Sequence, residues 1–332
     1  MSLTEAEAAT TVRPAGRRRG RGGRRTTPGL PGAPGAPLGR SRLARRRRRA
    51  GILLSLPAVA LVIALLGVPV GQAVYYSMTQ WNGLVTTWIG PGTYVALVKD
   101  PIFWRVLENN GLLLLAVPFA IGIPLAIAAL LHEHVRGWRF FRSVYFLPTA
   151  ISWVVIGMFA LRFFSATGVL NGLLARVGFG PSATDMLANE HSALAALAIT
   201  FIWSMVGTNT IIFLTGMATL DPTLTEAARV DGLSRLQIFF RVTLPLLTRF
   251  IQFSFVVTVI SAFSALFSLI FVMTSGGPGF GTTTLEFFIY QAGFQQVQLG
   301  TAALYGVVLF VIMAIAGLVQ LRLIKPDDGG GW

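Results

Sequence analysis

Three observations predict an all-α, polytopic membrane fold. Hydrophobic residues make up 54% of the 332 and charged residues only 12%, half the roughly 25% usual in soluble domains. Mean hydropathy is +0.67. Six windows, near 51–77, 109–131, 143–164, 191–216, 248–273 and 301–323, each carry the roughly 20 apolar residues that cross hydrocarbon as a helix.

The formal charge of +14 points elsewhere, toward an acidic partner, and its location decides. Residues 1–50 hold 14 arginines against two glutamates, whereas 51–332 hold 13 basic and 11 acidic residues. The body is nearly neutral, so no nucleic acid is expected as a partner. The tail over 1–50 is rich in Arg, Gly and Pro, with runs Arg17–Arg19 and Arg45–Arg49. It has too little apolar surface to offset ordering entropy and is expected to be disordered. Arg-Gly segments bind RNA in other proteins, but a basic cluster directly before an apolar span orients that span and touches anionic membrane lipid. The stretch Gly51–Met78 also exceeds the roughly 7–15 residues of a signal-peptide core, so it reads as an uncleaved first span.

An even number of spans puts both termini on one side, and the cations say which. With the tail inside, the inner loops hold Arg136, Arg139 and Arg142, then Arg229, Arg235, Arg241 and Arg249, then Arg322 and Lys325. The outer segments hold only Lys99, Arg105 and Arg176. An N-in, C-in bundle follows. Pro57, Pro69, Pro118, Pro124 and Pro148 mark kinks, since each frees a backbone carbonyl. Gly67 and Gly71 have the spacing of a close helix contact. Arg162 and Glu286 fall near outer ends and are expected to be wet.

Between the fourth and fifth windows the residues describe two short helices. Asp221 is a good N-cap, followed by Pro222 at the first helical position. Leu224, Ala227 and Ala228 share a face. Gly232 ends the helix in the left-handed conformation, and Ser234 with Gln237 has capping-box spacing for the next one. Leu236, Phe239 and Phe240 form its apolar face, which Pro245 limits. Two readings stand for an apolar helix pair on the cytoplasmic side: it docks on a partner, or it lies on the lipid interface.

Glu226-Ala-Ala, Gly232 and Val242-x-Leu244-Pro245 resemble the signature loop of the membrane subunits of binding-protein-dependent ABC importers, where isoleucine is usual in place of Val242. Thr79-Gln-Trp81-Asn, Phe141-Arg142-Ser-Val-Tyr-Phe146-Leu-Pro148, Gly168-Val-Leu-Asn171 and Thr274-Ser-Gly276-Gly277-Pro278 with Tyr290 extend the resemblance to the maltose-type and glycerol-phosphate-type permeases of carbohydrate uptake. It covers roughly 52–324. The resemblance implies a permease domain over 51–324 with a coupling loop at 217–246 and a short tail at 325–332. It implies a multi-pass subunit of the bacterial cytoplasmic membrane that imports a sugar or oligosaccharide. The implied partners are a second homologous permease, two cytoplasmic ATPases that carry the ATP and Mg, and an extracytoplasmic sugar-binding protein. No cofactor is then expected on this chain. Glu226, Ala227, Ala228, Asp231, Gly232, Leu244 and Pro245 would meet the ATPase; for Glu226 the alternative is a solvated charge paired with Arg229. The outer segment Thr274–Phe294 would meet the binding protein.

A sugar path calls for neutral hydrogen-bonding groups. Ser254, Thr258, Ser261, Ser264 and Ser268 share one face of the fifth span, and Trp203, Thr208, Asn209 and Ser152 extend the set. The same small polar residues also serve as glue between helices. An enzyme is not expected. Neither Lys99 nor Lys325 sits in a phosphate-binding loop, His132, His134 and His191 lack zinc-site spacing, and the absence of cysteine excludes thiol chemistry. The competing class, an ion-gradient-driven secondary transporter or channel, calls for acidic residues deep in the spans.

Overall fold

The computed structural model describes residues 40–132, 144–178 and 185–323, as backbone alone over 40–50 and at 321 and 323. The expected inner-loop cations Arg136, Arg139 and Arg142, and the tails 1–39 and 325–332, lie outside the described residues. The chain divides into two units, Met1–Ala60 and Leu61–Trp332.

Helix α1 spans Arg40–Val62. It begins ten residues before the expected boundary at Ala50, so the end of the Arg-rich segment is helical rather than disordered. Arginine is a good helix former, and the run Arg45–Arg49 continues the turns of the apolar span. A π-helical turn at Ile63–Gly67 leads to α2 (Val68–Tyr76). Pro69 explains the turn: its ring clashes with the carbonyl four residues back, and the widened turn moves that carbonyl away. Gly71 faces open space, so the expected Gly67/Gly71 contact is not made within this chain.

Next comes a two-stranded antiparallel hairpin, β1 (Thr79–Trp81) and β2 (Thr86–Trp88), with Thr79 opposite Trp88. Asn82 Oδ1 accepts from the Leu84 and Val85 amides at 3.1 and 2.8 Å, and Gly83 takes φ +90°. Helix α3 (Gly92–Lys99) follows, and Asp100 caps α4 (Pro101–Leu114) by accepting from Ile102 N at 2.9 Å.

The second span thus starts at Pro101, eight residues earlier than the apolar window. It breaks at Leu115 before α5 (Ala116–His132), because Pro118 leaves the Leu114 carbonyl without its usual donor. The third window is not one helix. A 3-10 turn at Leu147–Ala150 ends in extended Ile151 and Ser152, and α6 runs Trp153–Phe164. A corner then leads to α7 (Val169–Arg176). A Cβ at Gly168 would overlap the Arg162 and Phe163 carbonyls, and Asn171 Nδ2 donates to Ser165 O at 3.0 Å.

Helix α8 (Glu190–Ala218) is the axis of the bundle. Phe201, Leu197 and Phe213 on it are fully buried, against α5, α6 and α11 (Thr248–Met273). Two short helices, α9 (Pro222–Val230) and α10 (Arg235–Ile238), connect α8 to α11. A second core joins α4 to α12 (Leu285–Tyr290) and α13 (Leu299–Leu323), with Tyr305 and Val106 at its centre. Among the described residues six helical stretches, Gly51–Tyr76, Pro101–His132, Trp153–Arg176, Glu190–Ala218, Thr248–Met273 and Leu299–Gln320, are long and apolar enough to cross a membrane.

Candidate functional site

The α9–α10 loop is capped at every exposed end by its own residues. Asp221 Oδ1 accepts from Thr223 N at 2.9 Å. That backbone bond, with a further one from the Thr223 side chain, holds the Asp221 carboxyl below the usual carboxylate range. At the other end Leu233 N donates to Ala228 O and Gly232 N to Arg229 O, both at 3.1 Å, the paired bonds of a Schellman cap. Gly232 supplies the φ of +79° that this cap needs. Ser234 N donates to Gln237 Oε1 at 2.8 Å and Gln237 N to Ser234 Oγ at 3.4 Å, closing the expected capping box. Helix α10 does not stop at once. It widens into a π turn at Phe239–Thr243 and ends after Leu246, with Pro245 two residues beyond the turn, as Pro69 is in the first span.

Of the expected coupling residues, Glu226, Ala227, Asp231, Gly232 and Pro245 are exposed, Leu244 is half-buried, and Ala228 alone is buried. Expected face mates Leu224, Ala227 and Ala228 therefore split, with Ala228 turned inward. Around the exposed group stand Val230 at 88%, Leu236 at 72% and Phe240 at 60% exposure. Val230 was not anticipated, because it lies off the face read from periodicity.

Two of the expected path residues on the fifth span, and one on the fourth, are engaged elsewhere. Asn209, Ser254 and Thr258 are fully buried. Asn209 Nδ2 donates to Ala120 O at 2.7 Å and to Thr258 Oγ1 at 2.9 Å, while Ser254 Oγ donates to Asn209 Oδ1 at 2.9 Å. The network ties α5, α8 and α11 together, which is the glue role. Ser261 and Thr208 are half-buried; Ser152 and Trp203 are exposed. Trp203 and Arg162 line a cleft of about 460 Å³ between α6, α7 and α8. Its other walls include Phe159, Phe163 and Ile199, apolar residues with no sequence signal to set them apart from any other span residue.

The outer segment Thr274–Phe294, expected to meet the binding protein, is largely folded against the bundle. Thr282, Thr283 and Thr284 are fully buried. Asn109 Nδ2 on α4 donates to the carbonyls of Phe280 and Thr283 at 2.8 and 2.9 Å, and Asn110 Oδ1 accepts from Leu285 N at 2.7 Å. Gly276, at φ +83°, leaves room that a Cβ would take from Thr283 and Phe287. Glu286 is half-buried rather than wet: burial raises its carboxyl above the usual range, against bonds from its own backbone, Thr284 and Asn110. Ser275, Gly279 and the tip Phe294–Gln298 are exposed, with Phe294 at 78%. The acidic residues inside the six spans are Glu108 and Glu190, both toward outer ends and both paired with Arg105.

Residues 119–325 match the family of binding-protein-dependent transport system inner membrane components. The sulfoquinovosyl glycerol transport system permease protein SmoG of Agrobacterium fabrum is 33% identical over 286 residues, 85% of this chain and 92% of that protein. A bacterial ABC transporter involved in the import of the acidic polysaccharide alginate shares the fold at TM-score 0.69 and 25% identity, over 86% of this chain and all of that one. The alginate transporter in complex with a periplasmic protein bound to alginate pentasaccharide gives TM-score 0.72 at 23% identity, over 88% of this chain and all of that one. The chain thus belongs to the binding-protein-dependent transport system inner membrane component family and is a multi-pass membrane permease of an ABC importer.

Proposed function

We propose that this permease carries a sugar or oligosaccharide across the cytoplasmic membrane, and that a separate ATPase drives it through the Glu226–Pro245 loop. The observation that supports the loop's role is its pairing of complete local capping with an exposed apolar surface. Val230, Leu236 and Phe240 stand open beside the carboxylates Glu226 and Asp231. A pair lying on lipid would not set two carboxylates among its apolar residues; a protein cleft with a basic rim accommodates both. Small Ala227 permits close approach, and Gly232 sets the angle between the helices. ATP and Mg belong to the ATPase subunits, of which two serve this chain and a second, homologous permease.

The cargo reading rests on the relatives, whose names give sulfoquinovosyl glycerol and alginate as their cargo. Delivery by an extracytoplasmic sugar-binding protein is supported by the periplasmic protein in the alginate complex. Here the exposed surface for it comprises Ser275, Gly279 and the tip Phe294–Gln298 rather than all of Thr274–Phe294.

Co-purification with the ATPase tests the loop. Gly232→Val strains the left-handed turn in open space, and Glu226→Lys reverses a charge; each is expected to cut ATPase association and sugar uptake at least tenfold while the permease still inserts. Undiminished association in both variants would show that the loop does not couple. Uptake across a panel of neutral and acidic sugars names the cargo.

A further inference from the structure

The hairpin β1–β2 has two unlike faces. Trp81 and Trp88 stand on one with Thr79 and Thr86, and Gln80 and Thr87 share the other. The aromatic face lies on the end of the first span: Trp81 stacks on Tyr76 with ring centres 4.1 Å apart, and Trp88 is 5.4 Å from Tyr75. The turn between the strands is open, with Leu84 at 93% and Val85 at 63% exposure, and Trp88 and Ile89 are exposed after it. No charged residue occurs from Ala50 to Val98.

We infer that this hairpin is an interfacial anchor, its turn Leu84–Val85 seated in the outer leaflet of the membrane and its Gln80–Thr87 face turned to water. Height supports this. Strand β1 begins three residues after Tyr76, where the first apolar stretch ends. It is seated on the start of the sixth stretch, since an added Cβ at Gly300 would overlap the Thr79 carbonyl. At the turn, a Cβ at Gly83 would meet Leu299 Cδ1 at 3.4 Å. Strand and turn are therefore both level with the first residues of the sixth stretch, which is the outer membrane surface in an N-in, C-in bundle. Chemistry supports it as well. Tryptophan and tyrosine sit by preference at headgroup level, where one end of the ring is apolar and the other wet. Leucine and valine at the tip gain by leaving water. A turn entering lipid must also satisfy its own amides, and this one does: Asn82 Oδ1 takes up both the Leu84 and the Val85 N–H, while Asn82 N donates to Val85 O at 3.4 Å. So placed, the hairpin holds the outer ends of the first and sixth spans at one depth.

Spin labelling of the importer complex in lipid vesicles tests the inference. The chain has no native cysteine, so with cysteine-free partner subunits Leu84→Cys, Val85→Cys and Thr87→Cys each take a single nitroxide. At 84 and 85, collision with oxygen, which concentrates in lipid, should exceed collision with a water-soluble nickel chelate severalfold. At 87 the order should reverse, and adding the binding protein should change neither result. Nickel chelate exceeding oxygen at 84 and 85 would place the turn in water and overturn the inference. Shielding of both positions from both reagents, with or without the binding protein, would place the turn under another protein and overturn it equally.

Discussion

The inner loop over 221–247 and the outer segment over 274–298 both join neighbouring spans, yet they are held in opposite ways. Nearly every bond that shapes the inner loop connects residues two to five apart: Asp221 with Thr223, Leu233 with Ala228, Ser234 with Gln237. The outer segment has local bonds too, such as Thr283 Oγ1 to Gly276 O at 2.9 Å, but it is also tied to α4 through Asn109 and Asn110, across about 175 positions of sequence. A surface that another protein grips must keep its shape without help from the bundle. A segment that seals the outer end of a span pair can borrow its partners from the bundle.

The contrast breaks most sharply at Asn109. Asn109→Leu removes both donors from buried carbonyls, each at a cost of about 1–3 kcal/mol, and should lower the thermal unfolding midpoint of the detergent-solubilised chain by more than any single change in the inner loop. In Ser234→Ala the capping box is lost for about 1 kcal/mol. Because Ser234 is exposed and its bonds are local, the unfolding midpoint should barely move while ATPase association weakens. A midpoint drop equal to that of Asn109→Leu would show that the loop is part of the folding core after all.

The smallest expected effect is titration of Glu286. Its folded state holds the proton more tightly than the unfolded chain does, so stability should fall as pH rises from the ordinary carboxylate range through the raised value. Glu286→Gln should flatten this slope in unfolding midpoints measured from pH 4 to 8. A slope that persists unchanged in the variant assigns the pH dependence to another group.

Legibility followed the range of the interactions. The caps of α9 and α10 could be read because each is complete within six residues of sequence. The Asn82-Gly83 turn is equally local, but it joins strands of three residues each, too short for a two-residue period to show. By contrast, no spacing connects Asn209 to Ala120, so for Asn209, Ser254 and Thr258 the sequence leaves cargo path and helix glue both open, and only the fold shows them bonded to one another. The burial of Thr282–Thr284 was hidden for the same reason, since its cause is an asparagine in the second span. The break at Ser152 was signalled only by Pro148, and proline says that a helix is disturbed without saying where it resumes.

The Asn209 network has a mechanical consequence. Its three hydrogen bonds meet at one side chain, so turning α5, α8 or α11 about its axis by a single residue, about 100°, would strip a donor or acceptor from a fully buried amide. These three spans are keyed to one another and must travel together. In any inward-to-outward rearrangement the relative motion then falls where the chain is already interrupted, at Leu115, at Ile151–Ser152 and at the Gly168 corner. The bundle is a fixed block with its bends placed beside it.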